Sequence, residues 1–384
     1  MVGCFQKVTL LNLSWTVLNK VKISGGGRCN LTHACFEPRE LVKFYPRGSK
    51  ELLGPFHQFC SGDTVDWFEK RGVKTKIEND GRMFPESNTS QSIMDCLIDR
   101  ALQKGVIVKK QARVERIIPP KEKEDWKVEL GGGAIYSAQK VMMASGSNPR
   151  VWDMLNSIGH RIIDPVPSLF TFNIKDERIE DLAGLSVPMA KIKVLGSNLV
   201  ASGPLLITHW GLSGPAILKL SAWGAIHLNS QQYQFDISIN WTNGLDREQL
   251  ISSLDDLKQR YPKQQITSHA QLEIPLRLWK QLVNSSGVPL GLKWADLSKK
   301  NINKLVETLL HSQFKVNGKS TFKEEFVTAG GVDLKEINFK RFESKIHSRL
   351  FMAGEILNID AITGGFNFQA AWTGGWIAGK SMAE

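Results

Sequence analysis

Near its C-terminus the chain runs Leu350-Phe-Met-Ala-Gly-Glu355, then Ile356 to Thr363, then Gly364-Gly365, then Phe366-Asn367-Phe368-Gln369 and on to Gly379. This reads as a short apolar strand ending in Gly354-Glu355, a loop, and a Gly-Gly turn that opens a helix. Gly364 and Gly365 can take positive φ and admit another molecule close to the backbone. The helix behind them offers N–H donors without intrahelical acceptors and the positive end of its dipole. Such a layout favours an anionic group, either a pyrophosphate or a negatively charged ring. Glu355, just past a strand, is a fixed carboxylate acceptor suited to sugar or ribityl hydroxyls. Gly374, Gly375 and Gly379 each cost about 1 kcal/mol relative to alanine inside a helix, which implies a neighbour packed close enough to need the space. An ordinary C-terminal helix on a sheet is the competing reading of this segment taken alone.

The chain has 384 residues, enough for two domains or one large α/β body. Its 42% hydrophobic and 23% charged residues are those of a soluble globular protein. The apolar stretch Val8 to Leu18 is short and interrupted by Asn12 and Ser14, so neither a membrane span nor a membrane partner is expected. Cys4, Cys29, Cys35, Cys60 and Cys96 show no CxxC spacing, which argues for reduced intracellular thiols and against a disulfide scaffold or a metal site. The net charge of +11 raises the question of nucleic acid. Acidic residues interleave with the basic ones around Lys104–Lys123 and Lys293–Lys304, so a solvated basic surface is the expectation and a nucleic-acid partner is not.

Helical spacing covers Ser90 to Lys104, and short strands follow at Val106–Val108, Arg113–Ile118 and Trp126–Leu130, with turn signals between them. Lys140-Val-Met-Met-Ala144-Ser145-Gly146 is a buried-type strand ending in small residues. The pattern changes near Pro165. Leu169 to Trp241 is strand-rich, and helices then start at a capping box of Asp246 and Gln249, at Leu276–Asn284 and at Asn301–Gln313. Phe322 to Val332 reads as extended. The expected organisation is a ligand-binding domain, residues 1–165 and 331–384, interrupted by an inserted strand-rich and helical domain, residues 166–330. No internal repeat and no low-complexity tract stand out.

A further cluster lies at Ser24-Gly25-Gly26-Gly27-Arg28-Cys29-Asn30, a flexible backbone cradle followed by two polar side chains, as phosphate or flavin oxygens require. With Ala144-Ser145-Gly146, Gly354-Glu355 and Gly364-Gly365 it makes four small-residue clusters at strand or helix ends, which favour a buried cofactor. The segments Ile23–Asn30, Asp80–Pro85, Gly203–Pro215, Val327–Val332 and Gly354–Gln369 resemble the YhiN/BaiN-like NAD(P)/FAD-dependent oxidoreductases, closest in wording to the plant and cyanobacterial branch. The resemblance runs from about residue 18 to the C-terminus. It implies an α/β, glutathione-reductase-like, Rossmann-type FAD-binding fold interrupted by an α+β insert domain. It further implies that Gly25–Asn30 and Gly364–Gln369, with Gly364, Gly365, Phe366, Asn367 and Gln369 as the contacts, flank the isoalloxazine, and that Ser24 and Thr363 also bind the cofactor. Glu355 would meet the ribityl or pyrophosphate region, with Ala144–Gly146 and Gly354 beside the cofactor and Val114 near the adenine.

Relatives begin with a strand, a G-x-G-x-x-G turn, a helix and a second strand ending in an acidic residue. Residues 1–17 contain only Gly3 and no acidic residue, so a central parallel strand and its phosphate-binding helix are expected to be missing or replaced, weakening both the sheet and FAD affinity. A truncated or alternative gene product is favoured over a divergent member that no longer binds FAD. Ala361 stands where relatives usually carry glycine. The implied function is an FAD-dependent oxidoreductase acting on an unidentified small molecule, with NAD(P)H as a candidate reductant and no second G-x-G-x-x-G unit to hold it. His209 is the candidate proton donor, with a structural histidine in the Thr208–Pro215 turn as the alternative. Arg28 either steers an anion or forms a salt bridge, and Cys29 reads as a plain buried thiol because no resolving partner stands nearby. Two other functions compete: a cofactor-less binding protein, and an RNA-modifying flavoenzyme suggested by the charge. The compartment is read as cytoplasmic or plastid, although the first seventeen residues do not look like a transit segment.

Overall fold

The computed structural model describes residues 7–122, 124–321 and 327–384. The chain divides into two compact units, Met1–Val166 with Lys323–Glu384, and Pro167–Phe322.

In the first unit two short parallel pairs carry the nucleotide-type layout. Strand β1 (Thr9–Leu11) is followed by helix α1 (Asn19–Gly27), strand β2 (Thr32–His33) and helices α2 (Ser61–Glu69) and α3 (Ser90–Gln103). Strand β3 (Ile107–Lys109) lies parallel to β1, with Thr9 opposite Ile107. Next come β4 (Val114–Ile118), which opens an antiparallel meander with Trp126–Leu130 and Ile135–Ala138, then β5 (Val141–Met143) and helix α4 (Pro149–Ser157). The return segment supplies β6 (Glu343–Ser344), β7 (Leu350–Met352) and the C-terminal helix α5 (Phe366–Ala383). β7 pairs in parallel with β5, Leu350 opposite Val141, and all three of its residues are buried, as a parallel strand covered on both faces requires. The β1–β3 and β5–β7 pairs belong to separate sheets, and no described strand joins them.

A cluster of Val21, Cys29, Leu31, Phe68, Val73, Ile93 and Met94 ties α1, α2 and α3 together. Along α5 the buried residues Phe366, Gln369, Ala370, Thr373, Gly374, Ile377, Ala378 and Ser381 recur at three- and four-residue spacing and form one face. Close packing explains only one of its three glycines. A Cβ on Gly374 would stand 2.9 Å from Phe342 Cε1, whereas Gly375 and Gly379 have nothing within 4 Å.

The second unit is built on a seven-stranded sheet in the order Ser312–Asn317, Gln234–Asn240, Ser186–Val194, Val200–Thr208, Gly211–Ser213, Thr171–Asn173 and Lys319–Ser320. Alternation sets its faces: Val187, Ala190, Ile192 and Val194 point into the core while Lys191 and Lys193 face water. The capping box before Arg247–Arg260 forms as read, with Gln249 N–H 2.9 Å from Asp246 Oδ1 and Asp246 N–H 3.0 Å from Gln249 Oε1. The helix read as Asn301–Gln313 instead spans Lys299–Leu310, because Ser298 caps its start and Ser312 and Gln313 join the sheet. Of the segment read as extended, Val327–Val332 is a strand, and 322–326 lie outside the described residues.

Candidate cofactor site

Helix α1 breaks where the glycines begin. Ser24 turns extended at ψ 148°, and Gly25, Gly26 and Gly27 follow at φ 57°, 66° and 82°. The three glycines serve different ends. A Cβ on Gly25 would meet Asn30 N at 2.9 Å and Phe84 Cε1 at 3.0 Å, so the fold itself demands glycine there. Around Gly26 and Gly27 a Cβ would meet nothing within 4 Å, which leaves that stretch of backbone open to another molecule.

Asn30 joins this loop to the start of α5. With its amide oriented to satisfy both neighbours, Nδ2 donates to Thr32 O at 3.1 Å and Oδ1 accepts the Gly365 N–H at 3.0 Å. Gly365 caps α5 at φ 91°, and a Cβ there would come within 2.5 Å of Thr32 O. No acidic residue and no side-chain cap occupies the first turn of α5, so no side chain of that turn neutralises its dipole end.

The side chains of that turn have protein partners. Phe366 is buried, stacked on Phe44 at 4.3 Å and on His33 at 4.5 Å between ring centroids. Asn367 closes the loop before it, its Oδ1 accepting the Ala361 N–H at 2.9 Å and its Nδ2 donating to Ala361 O at 3.1 Å. Gln369 is buried, accepting the hydroxyls of Thr32 at 2.6 Å and Thr64 at 3.0 Å and donating to Thr373 Oγ1 at 3.1 Å. Thr363 is exposed.

Glu355 stands past the end of β7, beside Gly146, which lies just past the end of the paired strand β5. A Cβ on Gly146 would lie 3.9 Å from Glu355 Oε2, and one on Gly354 3.7 Å from Ala371 Cβ of α5. Burial pushes the Glu355 carboxyl above its ordinary range; the Lys20 ammonium of α1 opposes this, the Asp360 carboxylate adds to it, and a hydrogen bond with Ser147 lowers it again. Ala144 and Ser145 are exposed at the end of β5. Lys20, Ser147 and the buried Arg47–Asp360 ion pair, which anchors the loop before Gly364, were missed from sequence. The signals were there: Ser147 extends the small-residue cluster by one, and an aspartate inside Ile359-Asp-Ala-Ile needs a cation.

Arg28 and Cys29 take their structural alternatives. The Arg28 guanidinium lies 2.7 Å from Glu78 Oε1 and 4.0 Å from the Phe84 ring centroid, so an ion pair and a cation–π contact already engage it. Cys29 is buried at φ 61°, and burial pushes its thiol up to about 12, with Ser24 partly opposing. Val114 lines an open cavity of about 410 Å³ with Arg113, Glu115 and, from α4, Arg150, Asp153 and Met154. His209 sits on an exposed turn of the second unit. The glycines after it are explained by that hairpin: a Cβ on Gly211 would fall 2.2 Å from Phe172 O, and one on Gly214 2.9 Å from Leu206 N.

The glycine loop, the start of α5, Glu355 and Gly146 are thus linked in one place, and α4 leads from there to the Val114 cavity. Open backbone at Gly26 and Gly27, an uncapped helix start and a partly buried carboxyl fit a dinucleotide flavin. The family described as "HI0933-like protein Rossmann domain" matches residues 4–381. The chain is similar to the ribosomal RNA dihydrouridine synthase of Escherichia coli, with 27% identity over 98% of this chain and 92% of that protein. It is similar to the 3-dehydro-bile acid delta(4,6)-reductase of Clostridium scindens, with 23% identity over 98% of this chain and 93% of that protein. The solved 3-ketosteroid-delta4-(5alpha)-dehydrogenase of Rhodococcus jostii aligns over 98% of this chain and 96% of its own, at 11% identity and a TM-score of 0.48. On the family match across nearly its whole length, the chain belongs to the HI0933-like Rossmann family, the YhiN/BaiN-like flavin-dependent oxidoreductases.

Proposed function

We propose that this chain binds FAD along the line from Gly26–Gly27 to the Val114 cavity and uses it, reduced by NAD(P)H, to reduce a small organic substrate. The observation that carries the reading is the Asn30 bridge: it fixes the Gly25–Asn30 loop against Gly365, so open backbone and an uncapped helix start face one locality. Bound FAD supplies the hydride chemistry, and the protein supplies binding, orientation and electrostatics. Gly26 and Gly27 give the ring close access to the backbone, and the start of α5 favours negative charge beside it. Glu355, held by Ser147 and Lys20, accepts from hydroxyls of the cofactor chain, and the cavity at Val114 takes the adenosine end.

The test is reduction. Anaerobic addition of NADH or NADPH to the FAD-loaded protein should bleach the flavin band; a band that only dithionite bleaches would remove the nicotinamide link and leave the flavin site standing. A second reading, an RNA-modifying flavoenzyme, is favoured by the net charge of +11 and by the name of the E. coli relative. Its test is RNA affinity against salt, which should fall steeply as ionic strength rises if phosphates are contacted; binding indifferent to salt counts against it.

A further inference from the structure

The end of α4 meets the return segment at a buried histidine. His160 is 1% exposed, with Nδ1 2.8 Å from Glu336 Oε2 and Nε2 3.1 Å from Ser344 Oγ. Ser344 Oγ already accepts the N–H groups of Ile346 at 3.1 Å and His347 at 2.9 Å, so its own proton is directed at His160 Nε2. The ring is therefore neutral, with its proton on Nδ1 and donated to Glu336. A proton added at Nε2 would face an oxygen whose lone pairs are taken.

The second histidine of the node, His347, lies 5.9 Å away between centroids, donates from Nε2 to Ile158 O at 2.6 Å and meets the Trp126 ring edge-on. Glu336 also accepts the Arg161 N–H, at 3.2 and 3.1 Å. The remaining charges face elsewhere: the Arg161 guanidinium pairs with Asp333 at 3.6 Å, and Lys345 Nζ donates to Lys335 O at 2.8 Å. Burial holds the His160 imidazole below its ordinary range, Glu336 opposes this, and His347 adds to it. α4 also walls the Val114 cavity through Arg150, Asp153 and Met154.

We propose that the His160–Glu336–Ser344 node is a pH-sensitive latch: while His160 is neutral it fixes the C-terminal end of α4 and with it one wall of the Val114 cavity, and acidification releases both. The latched form binds fewer protons than the released one. Its contribution is therefore complete above about pH 6.5, the ordinary histidine value, and is lost as pH falls below it toward the folded value. The consequence for nucleotide affinity rests on the flavoprotein reading, whereas the latch does not.

Hydrogen exchange over residues 149–160 of the whole chain, corrected for intrinsic rates and compared at about pH 7.5 and about pH 5, tests it. Opening should rise with acidification by up to about tenfold per pH unit below 6.5, and His160→Asn should remove that dependence. Equal protection at the two pH values, or the same dependence in H160N, overturns the latch. Should H160N fail to fold, Glu336→Gln removes the counter-charge that favours the imidazolium and should enlarge the acid effect; an unchanged effect overturns it equally. FAD titration at both pH values is read separately. A protein that binds no FAD at either pH sinks the flavin reading while the exchange data still decide the latch.

Discussion

Gly25 and Gly365 sit against protein backbone, whereas Gly26 and Gly27 sit against open space, and this difference separates folding from binding at single residues. Gly365→Ala would place a methyl 2.5 Å from Thr32 O at φ 91°, and should destabilise the protein by about 1–3 kcal/mol in urea denaturation. The Cβ of Gly27→Val would meet nothing within 4 Å, so the substitution should cost mainly the strain of a branched residue at φ 82°, about 1–3 kcal/mol, while abolishing FAD binding. Cys29 offers a check of opposite sign. A thiol pushed up to about 12 is neutral at physiological pH, so it should resist alkylation in the folded protein, and Cys29→Ala should leave flavin reduction unchanged. Sequence alone could mark Ser24–Asn30 as one cluster because glycine runs are visible. It could not divide the cluster into packing and open glycines, since that depends on Asn30 and Phe84 approaching Gly25, contacts that chain spacing does not encode.

Helix α5 is held at its start by a buried polar bolt, in which Gln369 joins the hydroxyls of Thr32 on β2 and Thr64 on α2, with Thr373 one turn on. Gln369→Leu would leave the Thr32 hydroxyl without its acceptor, at about 1–3 kcal/mol for a buried unsatisfied group, while Thr64 keeps Cys60 O at 3.3 Å; it should also loosen the Asn30–Gly365 register enough to weaken flavin binding beyond the loss of stability. Gln369→Glu should be worse than Leu, because it buries a carboxylate among hydroxyls. The elements themselves were largely legible. Period and caps gave α3, the Asp246 capping box and the strand–turn–helix of the return segment, and two strands of the meander; the run read at Val106–Val108 as its first strand falls instead in β3, paired with β1, and Ile135–Ala138 completes the meander. The roles of Asn367 and Gln369 were not legible, because an amide in the first turn of a helix suits a ligand and a buried network equally well until the partner strand is in place.

At the scale of the molecule, the first unit holds two parallel pairs in separate sheets, and the proposed FAD line runs beside the β5–β7 pair. A cofactor held by backbone access, one carboxylate and a helix dipole gives a binding constant that depends on each of these parts. The +11 charge supplies a favourable background for any anionic ligand, so FAD affinity should fall as salt rises, by less than RNA affinity would if many phosphates were contacted. The family and the clustering of the four glycine sites were readable from the chain; the substrate was not, because no motif names the chemistry of what meets the flavin. The most direct test is the visible spectrum after FAD saturation and desalting, for wild type, Gly27→Val and Glu355→Ala, with circular dichroism as the control for folding. A flavin band retained by the wild type and lost by both folded variants is the expected result. A folded wild-type protein that emerges colourless would contradict the flavin site.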